Sequence, residues 1–276
     1  MNILTIDIEE WYIYEQYPKG GKDYYLPIIN GYLNNILDYL DENSTKATFF
    51  CLGIIARNEP TVIKSIAERG HEIGCHSDRH LLINRMTAKQ FEEDTRAAIE
   101  NLQQLTGEKI IMYRAPVFSI SESTKWALEI LIEQGISFDS SIFPAKHSFG
   151  GFSGYNEKGP ALIDTKSGSI KEFPISYTEI GGMRLMFSGG GYFRLLPYNI
   201  LSRLMKKSEY NMAYFHIRDL DSKQKRVRSL RYFQSYYGIN GAYDKFLKLI
   251  KEFKFVSLGE AADRIDWDKV NRIRLH

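Results

Sequence analysis

KATFFCLGIIARNEPTVIKSIAERGHEIGCHSDRH, residues 46–80, holds one full unit of the pattern that decides the fold. Lys46–Leu52 is a short apolar, aromatic-rich run, the composition of a buried strand. Glu59–Arg69 places apolar residues at helical spacing and stops at Gly70, a residue that ends helices because it enters the left-handed region without strain. Glu72–His76 then reads as another strand. Strand, helix and strand in close succession imply a parallel pair joined by a crossover helix.

The alternation extends in both directions. Before it come a strand at Asn2–Ile8 and an amphipathic helix at Ile28–Leu40. After it, Thr87 caps a helix reaching Leu105, with Gln90 completing a capping box. Ile110–Pro116 and Phe138–Ile142 are expected strands, separated by a helix at Glu122–Gln134 that Gly135 ends. Residues 146–191 break the rhythm, being rich in Gly and Ser with short strand-like pieces (ALIDT, IKEFPIS, MRLMF). The repeat resumes with a helix at Asn199–Lys207, a strand at Met212–Ile217, a helix about Tyr243–Phe253 and a last strand at Phe255–Leu258. A parallel sheet follows, open or closed into a barrel. No repeat, linker or low-complexity tract marks a boundary, so residues 1–276 are expected to form one domain with 146–191 as an irregular β-rich insertion.

Composition narrows the function. With 43% hydrophobic and 25% charged residues, all 276 residues can fold around a core. A formal net charge of +2 is too small to argue for nucleic acid or an anionic membrane. The basic run Lys223–Arg231 (KQKRVRSLR) reads as a solvated loop before it reads as an anion-facing patch. Two cysteines, Cys51 and Cys75, make no disulfide framework and are expected as small buried apolar groups. No apolar run approaches the roughly 20 residues of a membrane-spanning helix, and MNILTIDIEEW has none of the regions of a leader. The expected location is the cytoplasm, with the inner face of the membrane as a possible working place.

Barrel enzymes carry their chemistry at the C-terminal ends of strands. The first strand ends in Asp7-Ile8-Glu9-Glu10-Trp11. Side chains alternate along a strand, so Asp7 and Glu9 share a face, and two carboxylates there are costly unless a cation or proton lies between them. Parity favours Glu9 over Glu10 as the inward acid. The third strand ends in His76-Ser77-Asp78-Arg79-His80, whose histidines four apart suit one zinc-like ion if the turn is helical. A carboxylate with two histidines and open positions is a hydrolytic metal arrangement, though HxxxH alone also describes two surface histidines. The fourth strand ends in Tyr113-Arg114-Ala115-Pro116-Val117-Phe118, where an arginine would hold a neighbouring carboxylate ionised, or merely pair with it structurally. Met212–His216 is an apolar strand ending in a histidine, placed for general acid work if it shares the rim.

Taken together, TIDIEEW (5–11), HSDRH (76–80), RAPVF (114–118) and AYFHIRDLD (213–221) resemble the polysaccharide deacetylase family, also called the NodB-homology or carbohydrate esterase family 4. DSSIFP (139–144), EFPIS (172–176) and GGGYFRLLPY (189–198) look like a bacterial subgroup associated with exopolysaccharide synthesis. The resemblance implies an α/β fold, a distorted, incomplete (β/α)7 barrel of the NodB type. It implies a divalent metal ion, zinc by default with cobalt, nickel or iron as alternatives, held by Glu9, His76 and His80. It implies Asp7 as catalytic base, Arg114 as its orienting partner and His216 as general acid. The implied substrate is an acetylated amino sugar, in a polymer or on a lipid or nucleotide carrier.

Some positions depart from the family form. The first motif usually has two adjacent aspartates followed by glycine, where this chain has Asp-Ile-Glu-Glu-Trp, so the choice between Glu9 and Glu10 stays open. The Asp-Trp pair that tunes the acid histidine has no clear counterpart; Asp139, Asp219 and Asp221 are the candidates. After His216 the subgroup continues Pro-Trp-Glu, and this chain reads Ile-Arg-Asp. Trp11, Phe118 and Tyr192 lie close enough to the motifs to stack on a sugar, and Gly189–Gly191 either admits a ligand near the backbone or forms a tight turn. His71 is expected to be structural, and His147 and His276 carry no signal. Three rivals accompany N-deacetylation: a related amide hydrolase on a small non-sugar substrate, an O-deacetylase, and a catalytically silent sugar-binding module.

Overall fold

A computed structural model describes residues 1–13, 29–226 and 232–275. Eleven strands occur among them: β1 Asn2–Ile8, β2 Thr48–Cys51, β3 Glu72–Cys75, β4 Met112–Tyr113, β5 Phe138–Asp139, β6 Ala161–Thr165, β7 Gly168–Glu172, β8 Tyr177–Ile180, β9 Met183–Met186, β10 Asn211–His216 and β11 Arg272–Arg274. Nine form one sheet in the order β10-β1-β2-β3-β4-β5-β7-β6-β11, with β8 and β9 as a separate hairpin. Every pairing in the large sheet is parallel except the β6–β7 hairpin. β1 lies between β10 and β2, so both its edges are paired, and all but its first residue are buried.

The helices are α1 Ile29–Glu42, α2 Gly53–Asn58, α3 Pro60–Glu68, α4 Ala88–Thr106, α5 Trp126–Glu133, α6 Gly190–Leu195, α7 Tyr198–Lys207, α8 Tyr232–Tyr236, α9 Ala242–Glu252 and α10 Leu258–Asp263. α4 begins with the capping box expected of Thr87 and Gln90 and ends at Gly107 in the left-handed conformation. The expected helix at 122–134 is split into a 3-10 turn at Glu122–Thr124 and α5. α2 was not expected: its six residues are too few to display a helical period.

The sheet is a distorted barrel that no strand ladder closes. Between β10 and the β5–β7 side, closure falls to single bonds: the Met212 N–H donates to Ser176 Oγ (2.6 Å), and the Tyr214 N–H to the Ser188 carbonyl (3.2 Å). Residues 146–191, expected as an irregular β-rich insertion, supply β6 and β7 to the main sheet. The expected last strand at 255–258 is reduced to one bridge, Ile3 with Val256, because Ser257 leaves to cap α10. β4 and β5 are also shorter than expected. After Tyr113 the chain exits the ladder, with the Ala115 N–H taken by the Ser141 hydroxyl (2.8 Å) and Val117 and Phe118 both left-handed, at φ 52° and 51°.

Register delivers the strand ends to one rim. Asp7 pairs with His216 on one side and Phe50 on the other, and Cys51 pairs with Cys75, the residue before His76. Gly74, opposite Phe50, is where strand spacing meets an aromatic ring: a Cβ there would lie 2.6 Å from it. Cys51 and Cys75 are buried free thiols.

Candidate active site

β1 presents Asp7 and Glu9 to the rim, as alternation requires, and both are buried. Glu10 turns elsewhere: its Oε1 accepts the Ile29 N–H at the start of α1 (3.1 Å). A carboxylate is well placed there against the unpaired amides of a helix start, so Glu9 is the acid that reaches the histidines.

The two histidines meet by a different route from the one their spacing suggested. No helix spans 76–80; Ser77 and His80 take positive φ of 71° and 60° and fold the loop back. The Ser77 hydroxyl accepts the His80 N–H (3.0 Å), which pins that fold. The ring centroids stand 5.3 Å apart, and both Nε2 atoms converge on Glu9 Oε1, at 2.8 Å for His76 and 3.0 Å for His80.

This geometry tests whether a metal fits. His76 Nδ1 lies 2.8 Å from the Arg114 carbonyl, which can only accept, so Nδ1 carries the hydrogen. A neutral His76 then points its Nε2 lone pair at a carboxylate oxygen 2.8 Å away. Two lone pairs at that distance repel unless a proton or a cation lies between them. Glu9 Oε2, buried, accepts no hydrogen bond. The ligand-type atoms of Glu9, His76 and His80 all lie within 4.8 Å of one another, as do those of Asp7, Glu9 and His216. The donor set fits a divalent cation with one carboxylate and two imidazoles. Burial pushes the Glu9 carboxyl up, but the imidazoles of His80, His216 and His76 around it outweigh burial and hold the group well below the usual carboxylate range. Burial also lowers the His80 imidazole, against the pull of Glu9, which favours the neutral form that a metal needs.

Arg114 is fully buried, and its contacts account for its donors. One terminal nitrogen donates to Asp7 Oδ1 (2.9 Å) and Thr5 Oγ1 (2.8 Å), the other to Ser140 Oγ (2.9 Å) and Met212 Sδ (3.6 Å), and Nε to the Ser140 carbonyl (3.2 Å). The guanidinium also lies over the Phe50 ring at 4.3 Å. Asp7 is thereby fixed through one oxygen, while Oδ2 faces His216 Nε2 at 3.6 Å. Asp139, one of the candidate partners for His216, ends β5 and is engaged elsewhere. It pairs in register with Glu172 and accepts from the Ser141 hydroxyl (2.5 Å), and burial drives both carboxyls up, Glu172 the further. It neither pairs with His216 nor lines the cavity described next.

His216 instead takes its partner from its own turn. Asp219 Oδ2 lies 2.7 Å from His216 Nδ1 and also accepts the His216 N–H, and Asp219 Oδ1 lies 3.2 Å from Arg194 Nε. Burial opposes the charge on both groups. His216 is nevertheless raised, chiefly by Glu9 and Asp219, and Asp219 is held far below the carboxylate range by His216 and Arg194. The third candidate, Asp221, accepts the Trp11 indole N–H (3.2 Å).

A cavity of about 470 Å³ opens on this rim, within the usual size of small-ligand sites. Trp11, Phe118 and Tyr192 line it, together with His216, Val117, Gly190 and Gly191. Trp11 is almost wholly buried and stacks on Tyr236 at 5.6 Å, so only part of its ring is offered. The sequence reading missed Arg194, Arg218, Asp219's link to Arg194, His147, Phe143 and Phe149, all at this cavity. The Ile-Arg-Asp departure after His216 was the one signal pointing toward Arg218.

Residues 21–133 match the family model described as polysaccharide deacetylase, and residues 140–263 match a domain of unknown function, DUF3473. Residues 21–133 thus carry the sequence of a polysaccharide deacetylase domain. The domain is 32% identical over 87 residues to the peptidoglycan-N-acetylmuramic acid deacetylase PdaA of Bacillus subtilis, covering 32% of this chain and 33% of that protein. It is 36% identical over 95 residues to a peptidoglycan-N-acetylglucosamine deacetylase of Bacillus cereus, covering 34% of each. The chain thus spans about a third of the length of these curated relatives. Solved structures extend the likeness in fold to nearly all of it. A Mycobacterium smegmatis protein assigned as a polysaccharide deacetylase superposes with a TM-score of 0.65 at 18% identity, over 97% of this chain and 90% of that one. A carbohydrate esterase family 4 pseudoenzyme of Bacillus anthracis superposes at 0.53 and 14%, over 99% and 66%. The candidate site crosses both sequence matches: His76, His80 and Arg114 fall in the first, Arg194, His216 and Asp219 in the second, and Asp7 and Glu9 before either.

Proposed function

We propose that the chain is a metal-dependent hydrolase that removes N-acetyl groups from amino sugars of a cell-surface polysaccharide or exopolysaccharide, or of its precursor. One observation carries this reading: a carboxylate fixed by a buried arginine, Asp7 with Arg114, stands beside the Glu9–His76–His80 group and 3.6 Å from a histidine with its own carboxylate partner. Base, cation ligands and acid thus meet at one rim. A fold shared with a pseudoenzyme does not by itself imply turnover; the presence of all these groups in one cluster is what supports it.

Glu9, His76 and His80 would hold the ion, zinc by default, with cobalt, nickel or iron as alternatives. When bound, a divalent ion acts as a Lewis acid on the acetyl carbonyl and on water. Asp7 takes a proton from the attacking water on Oδ2, and Arg114 keeps the carboxylate in place through Oδ1. The water oxygen joins the acetyl carbon, and a backbone N–H of the Val117–Phe118 turn donates to the oxyanion. Phe118's own N–H is spent on the Ala115 carbonyl, which leaves Val117 for that role. His216, protonated and held by Asp219, gives its proton to the departing nitrogen as the C–N bond breaks, leaving acetate and a free amine. Trp11, Phe118 and Tyr192 pack against the sugar. Residues 1–276 act as one catalytic unit in this scheme, because the site draws on both sequence matches.

The test is acetate release from N-acetylated glycans, nucleotide-linked and oligomeric, by protein with and without added metal. Full activity after metal stripping, or in Asp7→Asn, overturns the proposal. Release from acetyl esters alone favours O-deacetylation, and opening of small ureides alone favours the non-sugar amidase. Glycan binding without turnover favours the silent module. The working location is proposed as the cytoplasm or the inner membrane face; among the described residues no helix is long and apolar enough to cross a membrane.

A further inference from the structure

Ser77 and His80 hold left-handed backbone conformations, at φ 71° and 60°. Residues with a Cβ are strained there, so the loop keeps its fold only where its surroundings over-determine it. The Ser77 hydroxyl closes the loop from within. The rest of the hold comes from outside and converges on Asp78, which lies between the two histidines in the chain.

α2 supplies most of that hold. Its first two amides donate to the loop, the Gly53 N–H to the Ser77 carbonyl (3.0 Å) and the Ile54 N–H to the Asp78 carbonyl (3.0 Å). One turn on, the Arg57 guanidinium grips the Asp78 carboxylate through both terminal nitrogens, at 2.5 Å from Oδ1 and 2.8 Å from Oδ2. α4 adds Asp94, whose Oδ2 accepts the Asp78 N–H (2.8 Å). The approach leaves no room for a side chain at residue 53, where a Cβ would lie 2.2 Å from Asp78 Oδ1. The Asp78 side chain is 4% exposed, and Arg57 is its close counter-charge; Arg79 Nε, on a largely exposed side chain, stands 3.5 Å away. An acid between two histidines is a metal ligand by type. Asp78 nevertheless belongs to neither ligand group found among the described residues, since Arg57 engages both of its oxygens.

We propose that Asp78, gripped by Arg57 and Asp94, is the positioning residue that sets His80 against His76 and Glu9. It acts through the backbone of the loop that carries both imidazoles. Outer partners of this kind orient the ligands of a metal, and their loss weakens its binding. The inference deepens the metal-hydrolase reading and rests on it for the ion.

The experiment titrates zinc into the full chain against a competing dye, and reads the visible spectrum of the cobalt(II)-loaded protein. The variants are Asp78→Asn, Arg57→Met, Arg57→Lys and Arg69→Met. Arg69, just past α3, pairs with Asp38 and Asp41 of α1, so its variant controls for the loss of an ion pair as such. Asp78→Asn and Arg57→Met should weaken zinc binding about tenfold to a hundredfold and alter the cobalt spectrum, which reports ligand geometry. Arg57→Lys should recover part of the loss, because an ammonium is a point charge where the guanidinium is a fork. Thermal melts confirm folding, and if Asp78→Asn does not fold, the two Arg57 variants decide. Wild-type affinity and spectrum in folded Arg57→Met, or an equal loss in Arg69→Met, overturns the positioning role. A wild-type chain that binds neither ion overturns the metal reading alone, and NMR of the histidine rings without metal then decides the role. His80 signals that move in Arg57→Met while those of His71 stay support it; unmoved His80 signals overturn it.

Discussion

Asp219 Oδ2 sits 2.7 Å from Nδ1 of His216, three residues back along the same 3-10 turn. A histidine at a strand end therefore carries its own orienting carboxylate, with no help from a distant strand. Asp219→Asn should lower kcat on the order of tenfold to a hundredfold, within the range of general acid–base effects. The sign of the pH effect follows from the pair. Burial opposes the charge on His216, and Glu9 and Asp219 raise it above its ordinary value. Its contribution to stability is full below the unfolded value and lost as pH rises through the folded one. Removing the Asp219 charge lowers the folded value, so the alkaline limb of the rate profile should move to lower pH. An unmoved limb would leave Asp219 with a purely structural role.

Removal of metal should be visible without any substrate. A ligand that binds only the folded state raises its melting temperature, so a chelator should lower the melt and zinc should restore it. His76→Ala and His80→Ala should each abolish tight binding in a competition with a metal-sensitive dye, along with turnover. Retention of binding in both variants would place the ion elsewhere.

Arg114 and Asp7 form a buried ion pair, and breaking such a pair from one side leaves an uncompensated charge. Arg114→Met should cost about 3–5 kcal/mol in urea unfolding. The double variant Asp7→Leu with Arg114→Met should cost less than the two single changes added together, since neither charge is stranded. Additive losses would mean that the pair is not coupled.

Two glycines should respond oppositely to alanine. At Gly189 a Cβ would lie 2.2 Å from the Tyr214 carbonyl oxygen and 2.3 Å from its ring, so Gly189→Ala should destabilise by about 1–3 kcal/mol. At Gly31, in the first turn of α1, a Cβ meets nothing within 4 Å among the described residues, and Gly31→Ala should stabilise by about 0.5–1 kcal/mol. Denaturant midpoints of the two variants check both signs.

His71 offers a pH test far from the rim. Burial, helped by Lys46, lowers its imidazole to about 4, and its Nδ1 accepts the Ala47 N–H (3.3 Å). Between the unfolded value near 6.5 and that folded value, the unfolded chain binds the extra proton, so stability falls as pH falls through this window. The loss should reach about 2–4 kcal/mol by pH 4. His71→Gln should flatten this part of the slope in urea titrations; an identical slope would refute the assignment.

The framework of the fold was legible because it is local. Strand periodicity, the Thr87–Gln90 capping box and the helix-stopping glycines all act within a few residues. Parity along β1 placed Asp7 and Glu9 on one face for the same reason, and α1 explains why Glu10 faces away. The histidine pair was found by spacing, although a left-handed loop and not a helix brings the rings together. What escaped was set by distant partners. The two-residue strands β4 and β5 end where Ser140 and Ser141 reach across to Arg114 and Ala115. Arg194 and Arg218 are ordinary surface residues by sequence, and only the meeting of α6, β10 and β1 makes them part of the rim. Asp139 looked available because its register partner Glu172 is 33 residues away.

β1 pairs with β10 in a register that sets Asp7 beside His216, although 209 residues separate them in the chain. On a ribosome adding about 5–20 residues per second, the strand bearing the base waits roughly 10–40 s for its neighbour. Until then the β10 side of β1 is an open edge, apolar and unpaired, of the kind that recruits other chains. Expression at high rate should therefore trap more of this protein in aggregates than its final stability would suggest, and slower synthesis or a chaperone that holds sheet edges should recover it.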